Sequence, residues 1–148
     1  MKQLMATTND TIITFVRLVL GIVFFAHGAQ KVLGWWGGFG YSGTMNAFTN
    51  MMHIPAPLAF LAIMAEFLGG LGLLVGLLAR VAAFGIGVNM LVAVLMIHRH
   101  VGFFMNWYGG QQGEGWEYHL LAVAMAVVIL VRGAGAYSID AALTSKTS

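Results

Sequence analysis

The sequence contains no cysteine. That absence excludes disulfides, thiolate metal sites, cysteine nucleophiles and any CxxC redox relay within the chain. Charge is scarce as well. Only 8% of the residues are Asp, Glu, Lys or Arg, against about 25% in soluble domains. So few charges cannot coat a soluble globule, and with 59% of residues apolar the chain reads as an integral membrane protein. No basic run occurs, so the net charge of +2 points to no nucleic-acid partner, and the high pI reflects a shortage of acids. A cleavable leader is not expected either. The first apolar run is long, carries Arg17 and Lys31, and lacks a small-residue cleavage site.

Four apolar segments are present, each near the ~20 residues a helix needs to cross a bilayer. They run roughly over 12–34, 58–78, 81–98 and 116–132, with "HIPAP" breaking the chain before the second. Continuous apolarity predicts helices rather than barrel strands, which would alternate. The expected fold is all-α: a four-helix bundle in the lipid bilayer, spanning 1–148 as one domain. Four spans place both termini and the short second turn on one side. That side holds Lys2, Arg17, Arg80, Arg132 and Lys146, and the other only Lys31 and Arg99. The positive-inside rule therefore puts both termini in the cytoplasm. Trp35, Trp36, Trp107 and Trp116 then fall on the outer side with Tyr41, Tyr108 and Tyr118, as an interfacial aromatic belt would. The outer connections "WWGGFGYSGTMNAFTNMM" and "VGFFMNWYGGQQGEGW" are apolar and glycine-rich, and are expected to fold back onto the bundle. Within the first, "SGTMNAFTNMMH" predicts a short interfacial helix, capped by Ser42 or Thr44 and stopped before Pro55.

Several ionisable residues lie inside the spans. His27 and Lys31 occupy the outer half of the first helix, and Glu66 sits at a matching depth in the second. A charge near the bilayer centre costs at least ~3 kcal/mol, so pairing is the expected remedy. At ~100° per residue, Arg17, Gly21, Phe24, His27, Gly28 and Lys31 share one arc of about 120°. Glu66, Gly69, Gly70 and Gly76 cluster likewise, and the GxxxG of Gly72 and Gly76 reads as packing within the molecule. Asn89 shares a side of the third helix with Gly85, Ala93 and Met96. In the fourth, His119 falls with Ala122, Ala126 and Gly133. Glu117 diverges from His119 by ~160° and is expected at the interface or bonded to a loop.

Two readings of these groups stand side by side. One is a polar cluster that fixes helix register. The other is a ligand-binding or proton-transfer site, with His27, Lys31, Glu66, Asn89 and His119 as its candidates and Arg17, His98 and Glu117 behind them. Arg17 also reads as an anchor snorkelling to the inner interface. His98 and His100 flank Arg99, but histidines two apart on a helix diverge and no thiolate accompanies them, so no metal is expected.

The segments "RLVLGIVFFAHGAQKVLG", "AEFLGGLGLLVGLLAR", "HRHVGFFMNW", "GEGWEYHLL" and "GAGAYSID" together resemble the DoxX family of small four-span membrane proteins. The likeness covers nearly the whole chain. Family members commonly read GPG where this sequence has Gly133-Ala134-Gly135, a departure at a helix end. The resemblance implies a four-helix bundle in the bacterial inner membrane. The family name traces to a subunit of an archaeal thiosulfate:quinone oxidoreductase, and other members are associated with membrane redox complexes and oxidative-stress defence.

Three functions follow for testing. The first is a membrane component of a redox system, a quinone-linked oxidoreductase subunit, that binds a quinone or a small sulfur or oxidant species in an outer-half polar pocket. His27 and Lys31 would bind or protonate an oxygen, with Glu66 as counter-ion and proton partner. No cysteine and no recognisable haem or flavin motif is visible, so electrons are expected to come from the substrate, a partner subunit or a further cofactor. The second is a non-catalytic anchor for soluble oxidoreductases, with the apolar outer loops as docking surface. The third is a small-solute or proton pathway. A homo-oligomer is compatible with each.

Overall fold

The computed structural model describes residues 2–145, and Lys146, counted above among the inner-side charges, lies outside them. Among the described residues there are seven α-helices and no strand. They are α1 (Lys2–Met5), α2 (Thr11–Leu33), α3 (Gly40–Asn46), α4 (Ala56–Val75), α5 (Ala79–Met96), α6 (Glu117–Arg132) and α7 (Ile139–Ser145). Three of these, α2, α4 and α5, are long and apolar enough to cross a membrane. The 16 residues of α6 pack beside them.

The four longer helices form a bundle in which α2 packs on α4, α4 on α5 and α5 on α6. The seam between α6 and α2 is the least extensive of the four. Leu20, Phe24, Leu73, Ile86, Met90 and Ile129 meet in its core. Glycine brings α2 and α4 into backbone contact. A Cβ added at Gly28 would lie 2.5 Å from Phe67 N and 2.9 Å from Glu66 C. One added at Gly70 would lie 2.6 Å from Phe25 Cα. Small residues at such an interface let dispersion contacts form between backbones, the main attraction available in lipid.

Local chemistry sets the helix ends. The Asp10 carboxylate accepts from Ile12 N at 2.8 Å and Ile13 N at 3.3 Å and starts α2. Gly34, at φ 73°, ends it. Gly76, at φ 70°, ends α4 at Val75, three residues before the expected Leu78. The Gly72–Gly76 pair is therefore not a continuous helical stripe. Gly76 is a left-handed cap whose missing side chain makes room for Ser138.

The connection between α2 and α4 folds onto the bundle, whereas the one between α5 and α6 is closed at its base and leaves Phe104, Trp107 and Tyr108 exposed. The first contains α3, which starts at Gly40 without a side-chain cap and loosens into wider turns over Ala47–Met51. Neither Ser42 nor Thr44 caps it. Thr44 is buried and donates instead to Lys31 O at 3.2 Å, tying α3 to the end of α2. In the second connection, Trp116 N donates to Gly102 O at 3.2 Å and Glu117 N to Phe103 O at 2.9 Å. At the other end, the chain after α6 returns beneath the bundle. The buried Asp140 carboxylate accepts from Leu78 N at 2.8 Å and Ala79 N at 2.9 Å, capping α5 from sixty residues downstream in the chain.

Candidate functional site

Three helices contribute to one polar cluster. Lys31 on α2 places Nζ 2.5 Å from Glu66 Oε2 on α4. Asn89 Nδ2 on α5 donates to Glu66 Oε1 at 2.9 Å. Each carboxylate oxygen thus has one partner, drawn from a different helix. The Glu66 side chain is 7% exposed, so an unpaired charge there would be costly. Lys31 keeps 24% of its side-chain surface, so the pair is reachable rather than sealed. The glycine contact explains the geometry. With Gly28 pressed against the Glu66–Phe67 backbone, Lys31, one turn on, reaches Glu66 without extending across a gap.

His27 does not join this pair, contrary to the expectation that Glu66 would neutralise both residues. Its side chain is exposed and makes no hydrogen bond among the described residues. Helical phase gives the reason. Relative to Gly28, which faces α4, His27 is turned by ~100° and Lys31 by ~60° in the same sense. The long lysine chain swings back to Glu66, whereas the short imidazole stays toward α6. There its ring centroid lies 6.2 Å from that of Tyr118 and 6.5 Å from that of Phe24.

Tyr118 is the residue that sequence reasoning missed, having been assigned to the interfacial belt. Its ring is also 6.4 Å from Phe24, and its hydroxyl is buried without a hydrogen-bond partner among the described residues. No feature of "GEGWEYHLL" distinguishes it from a belt tyrosine. His119, expected to face inward, is buried, and its Nδ1 is likewise unpartnered. Its ring lies 4.1 Å from that of His98, whose Nδ1 sits 2.7 Å from Glu114 O. His98 also lines an open recess of about 540 Å³ with Ile97, His100, Gln111 and Glu114. A second recess, about 410 Å³, lies at the other end of α5 beside Arg80, Phe84 and Leu130. Neither recess includes Lys31 or Glu66.

The two remaining candidates are engaged in hydrogen bonds away from Lys31 and Glu66. Arg17 is 1% exposed and does not snorkel. Its Nε donates to Ala134 O at 2.7 Å, Nη1 to Leu74 O at 3.0 Å and also to Leu73 O, and Nη2 to Tyr137 O at 3.2 Å. It thereby fills the carbonyls left open at the end of α4 and fastens the returning C-terminal segment. Glu117 turns to the loop between α5 and α6, where Oε1 accepts from Met105 N at 3.0 Å and Trp107 Nε1 at 3.3 Å. No group of three or more His, Asp or Glu side chains among the described residues is placed to hold a metal ion.

Comparison with known proteins adds a relationship to this geometry. The DoxX family model matches residues 12–99. That range holds Lys31, Glu66 and Asn89 but neither Tyr118 nor His119. The chain is also 30% identical over 143 residues to the inner membrane protein YqjF of Escherichia coli (strain K12), covering 96% of this chain and 99% of that protein. No solved structure matches it.

Proposed function

The chain belongs to the DoxX family and is a multi-pass inner-membrane protein, and on that footing we propose that it is a membrane component of a redox system. It crosses the membrane four times with both termini in the cytoplasm, and forms one domain over its length. Its outer-half cluster binds the polar head of a quinone or a small sulfur or oxidant species. The observation that carries this reading is the Lys31–Glu66–Asn89 line, an ion pair bridging three helices inside an apolar bundle. Ionisable groups placed so deeply mark ligand or proton sites more often than packing alone. Lys31 can donate to a ligand oxygen, and Glu66 can take or return a proton. Asn89 holds the carboxylate in place while the lysine changes partner. With no thiol in the chain, electrons come from the substrate, a partner oxidoreductase or a further cofactor.

Equilibrium binding of a short-tailed benzoquinone to the purified protein in lipid nanodiscs tests the reading. Lys31→Ala and Glu66→Ala should each weaken binding by at least about tenfold, the loss expected when a buried charge-assisted contact is removed. Affinity unchanged in both variants would overturn the site.

The exposed aromatics of the second outer connection favour a second reading. Phe104, Trp107 and Tyr108 present 67%, 79% and 101% of their surface. They suit a non-catalytic anchor that docks a soluble oxidoreductase. Association with such an enzyme that persists in Glu66→Ala but fails in Trp107→Ala would favour it. A small-solute or proton route through the whole bundle is the weakest reading, because Arg17 closes the inner half with filled hydrogen bonds.

A further inference from the structure

The α2–α6 seam carries two polar groups that lack a partner. His27 projects from α2 with an exposed, unbonded imidazole. Tyr118 on α6 buries a hydroxyl that has no hydrogen-bond partner among the described residues. Their ring centroids are 6.2 Å apart, and each ring also lies within 6.5 Å of Phe24. Buried polar atoms are almost always hydrogen-bonded, so an orphan in an apolar site calls for a missing partner. An unsatisfied buried group costs about 1–3 kcal/mol, a cost the Tyr118 hydroxyl bears, and the exposed His27 imidazole borders the same place from the facing helix. The seam is also where the bundle is least closed. Gly28 and Gly70 lock α2 against α4 through backbone contact, whereas no comparable contact joins α2 to α6.

We infer that the α2–α6 seam is the lateral entry and head-group site for a flat, lipid-soluble carbonyl compound, a quinone by class. Its ring lies beside His27, Phe24 and Tyr118, and a carbonyl oxygen accepts from the Tyr118 hydroxyl. The inference rests on the quinone reading above and extends it by naming the entry side and a ligand-binding residue. Aromatic walls recognise the planar ring, and the hydroxyl recognises the oxygen. His27, one turn before Lys31, sets the ligand against the ion pair: Lys31 Nζ is already engaged by Glu66 at the back of the seam. The geometry also explains why His27 is exposed in the outer half of an apolar helix. It faces a seam a ligand enters, not closed protein.

The test uses the full-length protein in nanodiscs of phosphatidylethanolamine and phosphatidylglycerol, with a short-tailed benzoquinone and its photoreactive analogue. Tyr118→Phe removes only the hydroxyl. It should raise the dissociation constant about tenfold without lowering the thermal midpoint of the ligand-free protein, because it deletes a buried hydroxyl that has no partner. The photoprobe should label peptides spanning 24–31 and 116–122. An affinity within twofold of the parent, or label confined to 97–101 and 111–114 around the outer recess, overturns the seam site. If Tyr118→Phe fails to fold, the labelling pattern of the parent protein decides alone. Failure of the two readings is separable. A parent that binds no quinone removes both, whereas binding lost in Lys31→Ala and Glu66→Ala but kept in Tyr118→Phe removes only the seam.

Discussion

Replacing Gly28 by alanine tests the claim that backbone contact between α2 and α4 builds the polar cluster. The added methyl would sit 2.5 Å from Phe67 N and 2.9 Å from Glu66 C. Non-bonded carbon contacts settle at about 3.5–4.0 Å, so the overlap approaches ~1 Å. Backbone lies on both sides, and no side-chain rotation relieves it. The helices must separate, and overpacking of this kind costs about 1–3 kcal/mol. Alanine returns up to about 1 kcal/mol through helix propensity. The expected net loss is therefore roughly 1–2 kcal/mol, before any stretching of the 2.5 Å Lys31–Glu66 contact. Gly85→Ala is the control. Its methyl would meet only Ala65 Cβ at 3.5 Å, an ordinary contact. It should be neutral or stabilising by up to about 1 kcal/mol. Reversible unfolding of both variants in mixed micelles, followed by tryptophan fluorescence, gives the comparison. Should both variants shift the midpoint in the same direction by similar amounts, the steric account of the α2–α4 contact is wrong.

Lys31→Met leaves the Glu66 carboxylate buried with Asn89 alone and should cost about 3 kcal/mol. The double variant Lys31→Met/Glu66→Gln should cost less than that single change. A double-mutant cycle in the same unfolding assay measures the difference, and additive effects would show that the pair is not coupled. Asp140→Ala removes the acceptor for Leu78 N and Ala79 N and should destabilise by about 1–2 kcal/mol. Hydrogen exchange should quicken at the start of α5 while the outer half stays protected. Uniform exchange along α5 would refute the capping role.

Much of the architecture was legible because apolar runs and helical phase are local properties. The positions of the four longer helices, the burial of His119 and the turn of Glu117 to a loop all follow from apolar runs and from 100° per residue along a helix. So does the meeting of Lys31 with Glu66, since a long flexible side chain tolerates an error of tens of degrees in facing. His27 shows where that tolerance ends. Its ring is short, and a ~40° difference in phase from Lys31 sends it to a different neighbour. Tyr118 reads as one more outer tyrosine, because an unpartnered hydroxyl is a property of its surroundings and leaves no mark in the chain.

By itself, the sequence determined that this is a helical membrane protein with an acid and a base at one level, because composition and periodicity are properties of the chain taken residue by residue. Tertiary structure alone decided which groups meet. Arg17 became a buried clamp and not an anchor, and Asp140 capped a helix more than sixty positions away. The polar residues near that end of the bundle divided into an engaged Lys31–Glu66–Asn89 triad and a Tyr118 hydroxyl without a partner among the described residues. Those outcomes depend on where Gly28 and Gly70 let two backbones touch, and close packing amplifies contacts of a few tenths of an ångström into a choice of partner.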